Sequence, residues 1–357
     1  MQTQTLARAN VKAAVAPSIT LIVAPRDRFS YVRPSLESIY KHTNIPFKLI
    51  YIDINGPRNL QHYLARRAAD QDFTLLHTPR FLSPNQVRNL GLRHATTEYV
   101  LFIDNDIHVS PGWLENLWHC AQETDATVVT PLLCVGKPLH ERTLMAGGDI
   151  RTFSETDERH EYRHLYKKCH LVNRSVTMVK HQLQRRLCAY GELSCLLVKR
   201  NIFEHIGPLD EKLLNTQEHL DFCLSVAQVG GKIYCEPSAV VTYVPAMPRR
   251  SDLGYFMLRW SDAWEADSLI YFQKKWKLDM DRDFMRRFQQ LGHQRHQRLL
   301  LPLLHRLMAG RRIRFIEKLA IQLEQRFNQY LSNRHRRVSR QARTRPVRHR
   351  VSVWPKC

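Results

Sequence analysis

The chain has 357 residues, 43% of them hydrophobic and 24% charged, with a formal net charge of +21. That is enough apolar material for a large α/β domain plus an extension, and it excludes a globally disordered chain. No stretch reaches the roughly 18 consecutive apolar residues that cross a bilayer, and residues 1–17 lack the apolar block of a secretory signal, so the expectation is a soluble or peripheral cytoplasmic protein.

After an N-terminal tail, 1–17, short apolar runs alternate with amphipathic segments, the rhythm of βαβ units in a mostly parallel sheet covered by helices. Residues 19–24 read as a buried strand ended by Pro25 and the charged Arg26-Asp27-Arg28. A helix follows over 31–42, then a strand over 47–52 that stops at Asp53, before Asn55-Gly56-Pro57 turns the chain. The pattern continues with a helix over 60–69 and a short strand over 73–77. Ser83 and Pro84 then supply an N-cap and a first helical residue for a helix to about 94. Residues 99–103 form the clearest strand, with Asp104 just past its end. A helix over 111–121 and a strand over 126–134 come next.

Residues 135–190, rich in His, Arg and Glu, show few periodic apolar positions and read as a long surface excursion. Regularity returns with a strand over 193–198 and a helix over 218–229, whose Leu220, Cys223, Leu224 and Ala227 make an apolar stripe. Gly230-Gly231 caps it, and 233–244 supplies one or two strands broken by Pro237. Beyond Pro248 the pattern is helical, over 255–276, 281–306 and 311–331. Residues 333–357, Arg-rich and apolar-poor, read as a disordered tail. The boundaries expected are therefore 18–248 for the α/β domain, 249–332 for a helical extension and 333–357 for the tail.

Eight cysteines are scattered without C-x-x-C pairs, which points to buried free thiols in a reducing compartment and offers no zinc site. The charge is uneven: residues 282–357 hold 20 Lys/Arg against 3 Asp/Glu, so +17 of the +21 sits there.

In open α/β sheets ligands bind beyond the carboxyl ends of the strands, and two strands here end in acids, Asp53 and Asp104. In Asp104-Asn105-Asp106, two carboxylates two residues apart on a turn can converge on one hard cation, Mg²⁺ or Mn²⁺, whose shell is completed by water and phosphate. Such pairs also cap turns locally, so the surrounding sequence matters. No G-x-G-x-x-G follows the first strand, which argues against a dinucleotide-dependent oxidoreductase.

That surrounding sequence resembles glycosyltransferase family 2. One block runs Val87-Arg88-Asn89-Leu90-Gly91-Leu92, Ala95, Glu98-Tyr99-Val100-Leu101-Phe102-Ile103-Asp104-Asn105-Asp106 and Pro111-Gly112-Trp113-Leu114. A second runs Leu196-Leu197-Val198-Lys199-Arg200, Phe203, Ile206-Gly207-Pro208-Leu209-Asp210-Glu211, Glu218-His219-Leu220-Asp221-Phe222-Cys223-Leu224, Gly230-Gly231 and Pro237. The resemblance covers about 18–244. It implies the GT-A fold, Rossmann-like with a basic all-helical C-terminal extension, and transfer from a nucleotide-diphosphate sugar to a glycan or lipid-linked acceptor, with inversion. It places Pro25 and Arg26 at the nucleotide pocket, Asp53 at the base, Arg88 and Asn89 near the donor, Asp106 as principal metal ligand and Asp104 facing ribose or metal.

The family's commonest acidic pair falls on Glu218 and His219, so His219 replaces an Asp. Glu218 is the favoured general base and His219 its rival, with Asp221 on the same helical face, opposite much of the apolar stripe. The alternative for these acids is helix capping. Tyr243 lies near where many GT-A enzymes place a metal-binding His, which weakens the expectation of a strong metal site and leaves open a catalytically impaired nucleotide-sugar or glycan binder. In the C-terminal region Ile316, Leu319, Leu323, Phe327 and Leu331 repeat at helical spacing among basic residues. That pattern fits packing on the domain or a second subunit, or contact with an anionic membrane surface through 311–357. Nucleic acid is disfavoured, since few aromatics interleave with the arginines. Trp260, Trp264 and Trp276 are candidates for stacking on acceptor sugars, or simply core.

Overall fold

The structure, a computed structural model, describes residues 18–156 and 161–343. The expected N-terminal tail, 1–17, and the last part of the basic tail, 344–357, lie outside the described residues. In chain order the elements are β1 (Ile19–Ala24), α1 (Val32–His42), β2 (Lys48–Ile54), α2 (Arg58–Gln71), β3 (Thr74–Thr78), α3 (Pro84–Leu92), β4 (Tyr99–Asp104), β5 (Ile107–Val109) and α4 (Trp113–Thr124). Next come β6 (Val128–Val135), β7 (Thr143–Met145), β8 (Gly148–Thr156), β9 (Glu161–Cys169), α5 (Val176–Val179), β10 (Arg186–Cys188), β11 (Cys195–Lys199) and α6 (Ile202–Ile206). The chain continues with α7 (Glu218–Gln228), β12 (Ile233–Tyr243), α8 (Leu253–Arg259), α9 (Asp262–Trp276), α10 (Arg282–Gln289), α11 (His293–Arg295), α12 (Leu301–Leu307) and α13 (Arg314–Arg343).

The main sheet runs β10-β12-β6-β11-β4-β1-β2-β3, with β5 added to β12 and β7 to β6. Its β3-β2-β1-β4 half is parallel, while β11 is antiparallel to both β4 and β6. β1, β4 and most of β2 are buried on both faces, which is why they read as unbroken apolar runs. α3 covers β1 and β2, and α4 covers β6 and β12. A capping box at Ser83 and Gln86 starts α3, with Pro84 at its first turn.

Residues 135–156 and 161–190 hold more regular structure than their sequence suggests. β8 and β9 form a two-stranded antiparallel ribbon, and most of β8 is exposed on both faces. A ribbon wet on both sides needs no apolar alternation, so periodicity had nothing to report. Pro237 does not split the last strand in two. β12 is continuous, with a bulge where Glu236 pairs Pro131 and Val240 already pairs Leu132. In the helical region, the expected 255–276 helix divides at Trp260, and the Ser261 hydroxyl accepts from the Trp264 N–H to restart it. α13 runs on to Arg343, past the expected end at 331, because Asn328, Ser332 and the His335 ring pack against α8 and α9. Among the described residues all seven cysteines are free thiols, and no helix is long and apolar enough to cross a membrane.

Gly91 shows how tightly α3 sits: a Cβ there would lie 2.4 Å from Ile22 Cγ2 and 3.2 Å from Ile52 Cδ1. Overpacking costs about 1–3 kcal/mol, against about 1 kcal/mol of helix propensity gained on Gly→Ala. Gly91→Ala therefore lowers the denaturant midpoint, with m unchanged. A second prediction concerns Glu265, whose carboxylate accepts from the Gly292 N–H at 2.7 Å. Burial pushes it up to about 7. A carboxyl raised in the folded state stabilises below its ordinary value, and that stability is lost as pH rises toward 7. Glu265→Gln should match the parent in Tm near pH 5 and exceed it near pH 8.

Candidate active site

Parallel pairing aligns Ala24 of β1 with Asp104 of β4 and Val23 with Tyr51 of β2, so three strand ends open onto one edge. Asp53 closes β2 rather than following it. The turn after β4 is stapled to the loop after β1 by one side chain. Asn105 Oδ1 accepts from the Arg26 N–H at 3.0 Å, and its Nδ2 donates to the Arg28 carbonyl at 3.2 Å. Pro25, Arg26, Asp27 and Arg28 are thereby held against Asp104 and Asp106.

The two aspartates differ sharply. Asp104 is engaged on both oxygens, by Arg88 Nη2 at 2.9 Å and Arg26 Nη1 at 3.4 Å, while Arg88 also donates to the Leu193 carbonyl at 3.3 Å. Asp106 is wholly buried, and neither oxygen has a hydrogen-bond partner. Arg28 Nε lies 3.5 Å away. Burial, reinforced by the nearby Asp27 carboxylate, pushes Asp106 up to about 7 against the pull of Arg26 and Arg28.

Open lone pairs on a buried carboxylate fit one divalent cation whose other ligands are water and phosphate. Asp104, with one guanidinium contact on each oxygen, is less open to a cation than Asp106. Tyr243, buried beneath Arg26, has its ring 4.5 Å from the guanidinium carbon. Among the described residues no three His, Cys, Asp or Glu side chains gather as a preformed metal cluster.

Cations outnumber anions at this edge. Asp27, fully buried, accepts from Arg298 Nη1 at 2.7 Å and Trp260 Nε1 at 3.0 Å, which brings the helical region into the site. Arg26, Arg28, Arg88 and Arg298 thus face Asp27, Asp104 and Asp106. Buried N–H groups on all four arginines lack acceptors: Nε of each, Nη2 of Arg28 and Nη1 of Arg88. Buried donors left open cost stability unless a ligand meets them, and an anion rich in oxygen has the chemistry to do so.

The far wall is the start of α7. Gln217, buried and left-handed at φ 70°, precedes Glu218, a strained entry that sets the direction of the Glu218 carboxylate. Glu218 Oε1 sits 3.5 Å from Arg259 Nη2, and Oε2 is buried without a partner. Arg259 in turn stacks near Trp260, whose indole holds Asp27. A second route joins the walls: Ser194 accepts from the Asp104 N–H at 2.9 Å, and two residues earlier Glu192 Oε1 lies 3.5 Å from His219 Nε2. Burial holds the His219 imidazole below its ordinary value.

Other residues singled out in the sequence do different work. Asp53 accepts from the Gly56 N–H at 2.9 Å and meets His77 Nδ1 at 2.8 Å, at the β2 edge of the opening. Asn89 is consumed by structure: its Nδ2 donates to the Leu209 carbonyl and Glu211, and its Oδ1 accepts from the Leu209 N–H. Asp221 turns to α9, binding Lys275 at 2.7 Å and Trp276 Nε1 at 2.8 Å, and with Glu218 it is buried rather than on an open face. Trp260 and Trp276 spend their indole N–H groups on these aspartates, and Trp264 is buried. Sequence reasoning missed Asn105, Asp27, Glu192, Arg259 and Arg298. For Asn105 the signal was its place between the two aspartates, while the others are brought in by distant segments.

Residues 20–184 match the glycosyl transferase family 2 profile. The pre-mycofactocin glycosyltransferase of Mycobacterium tuberculosis is 24% identical over 172 residues, covering 48% of this chain and 32% of that protein. The O-antigen biosynthesis protein RfbC of Myxococcus xanthus is 22% identical over 239 residues, covering 66% and 18%. The chain spans about a third or less of the length of these curated relatives. A crystal structure of GalNAc-T7 with UDP, GalNAc and Mn²⁺ aligns at a TM-score of 0.49 and 14% identity, covering 81% of this chain and 59% of that one. In the residues matched and in the order of its two sequence blocks, the chain is similar to glycosyltransferase family 2.

Proposed function

We propose that this chain transfers a sugar from a nucleotide-diphosphate donor to an acceptor hydroxyl, with inversion, in a GT-A type cleft between the β4 end and the α7 start. The observation that carries the reading is the set of buried N–H groups without acceptors on Arg26, Arg28, Arg88 and Arg298, at the same edge as a buried Asp106 whose oxygens accept no hydrogen bond. A diphosphate matches that set in charge and in acceptor count. The family match supports the same reading. Asp53 is assigned to the base of the nucleotide, and Pro25 and Arg26 to the pocket that holds it. Asp104 is assigned a positioning role, fixing Arg88 and Arg26.

In a single displacement the acceptor oxygen bonds to the anomeric carbon as the bond to the donor phosphate breaks, and the hydroxyl proton must leave. Glu218 is the proposed base: Oε2 is buried and unpartnered, open to take that proton, and Arg259, 3.5 Å from Oε1, orients the carboxylate. His219, held neutral by burial beside Glu192, is the rival. Asp221 fixes α7 to α9 and so positions both. The arginines neutralise charge that grows on the departing diphosphate in a site that excludes water. Mg²⁺ or Mn²⁺, when bound at Asp106, would add Lewis-acid neutralisation of the same charge. Acceptors of the glycan or lipid-linked class would enter past residues 135–190.

Three measurements test this. In a thermal-shift screen of UDP-, GDP- and dTDP-sugars with and without Mn²⁺, one donor should raise Tm, and no response to any of them defeats the reading. Glu218→Gln should cut kcat by about 10²–10⁴-fold with donor Kd little changed, as expected for loss of a general base; a smaller loss there than in His219→Gln reassigns the base. Arg26→Gln should weaken nucleotide binding by about tenfold or more, the worth of one charge-assisted hydrogen bond, whereas an unchanged Kd removes Arg26 from the pocket.

A further inference from the structure

We infer that the outward face of α13 is a docking surface for an anionic lipid bilayer. The helix is amphipathic in the inverse sense for a protein of this kind. Its inward face is polar: Glu324 binds Arg295 at 2.7 Å and His296 at 3.0 Å, Glu317 binds His305 at 2.7 Å, and Asn328 donates to the Met257 carbonyl at 2.7 Å. Its outward face is apolar. Phe315, Leu319, Leu323, Phe327 and Tyr330 are 75%, 46%, 57%, 55% and 61% exposed. At 100° per residue they fall within a sector of roughly 120°. Of the stripe read from the sequence, Ile316, Leu319, Leu323 and Phe327 are exposed while Leu331 is half-buried, so of its three alternatives packing on the domain does not account for the exposed part.

Charge decides what covers it. Between Arg314 and Arg343 the acids are Glu317 and Glu324, both engaged inward, so the outward sector carries no carboxylate, while Arg326, Arg334 and Arg337 lie within it. A second copy would bring a like-charged surface, with 20 Lys/Arg against 3 Asp/Glu over residues 282–357, onto this face. Nucleic acid would meet the arginines but leave five large apolar side chains with nothing to bury against. An anionic bilayer satisfies both, taking the aromatic and leucine side chains into the acyl boundary and the guanidinium groups among headgroups. This surface is independent of the reaction assigned to the cleft, though it would place a lipid-linked acceptor at the enzyme.

The test is sedimentation of the full chain with vesicles of phosphatidylcholine alone or mixed with phosphatidylglycerol. Binding to the mixed vesicles should exceed the neutral ones by about tenfold or more and weaken as salt rises. Leu319→Gln, Leu323→Gln and Phe327→Gln combined should abolish it with Tm unchanged, since all three side chains are exposed. Leu323→Trp should show a blue shift of emission with mixed vesicles. Equal binding to both vesicle types, binding retained by the triple variant, or a parent dimer that the triple variant dissociates overturns the inference. Duplex DNA binding without any vesicle binding overturns it as well.

Discussion

The structure depends on a knot of buried charge at the carboxyl ends of β1 and β4. Asp104 held by Arg88 and Arg26, and Asp27 held by Arg298 and Trp260, tie four parts of the chain that are distant in sequence. Taking such ions out of water costs several kcal/mol each, and breaking one buried pair costs about 3–5 kcal/mol. A fold seeking stability alone would do as well with apolar side chains here. Four guanidinium groups against three carboxylates, with donors left over, is the arrangement that the proposed diphosphate would complete.

The knot also ties the helical region to the β1–β4 edge. Asp252 accepts from the Ser30 N–H at 2.9 Å and its hydroxyl at 2.7 Å, so α8 starts against the loop that carries Arg26. Arg259 at the end of α8 meets Glu218, Trp260 meets Asp27, and Arg298 closes the same aspartate. α9 then grips α7 through Lys275 and Trp276 on Asp221. Both walls of the cleft are therefore positioned by helices that follow the sheet in sequence.

How much of this was legible follows from distance along the chain. β1, β2 and β4 were readable because strands buried on both faces leave continuous apolar runs, and Asp53, Asp104 and Asp106 were readable because they sit where those runs stop. Asp27 and Arg298 were not, because no local pattern signals a pair 271 residues apart. Asn89 was over-read, since an amide beside Arg88 looks like a ligand group until its partners at Leu209 and Glu211 are seen. The β8–β9 ribbon was hidden by its exposure. The α13 stripe was visible as a stripe, but periodicity gives the phase of a helix against itself and not against its neighbours.

The bulge in β12 carries a rule about length. Residues 237–239 have no counterparts on β6, after which pairing resumes and brings Tyr243 level with Val135 and Ile107. Those three residues are unpaired, so which of Thr242 and Tyr243 lies under Arg26 is set by the pairs beyond the bulge and not by its length. Indels confined to 237–239 would be absorbed by the bulge, whereas a single one within 240–243 would exchange the two side chains across the pleat.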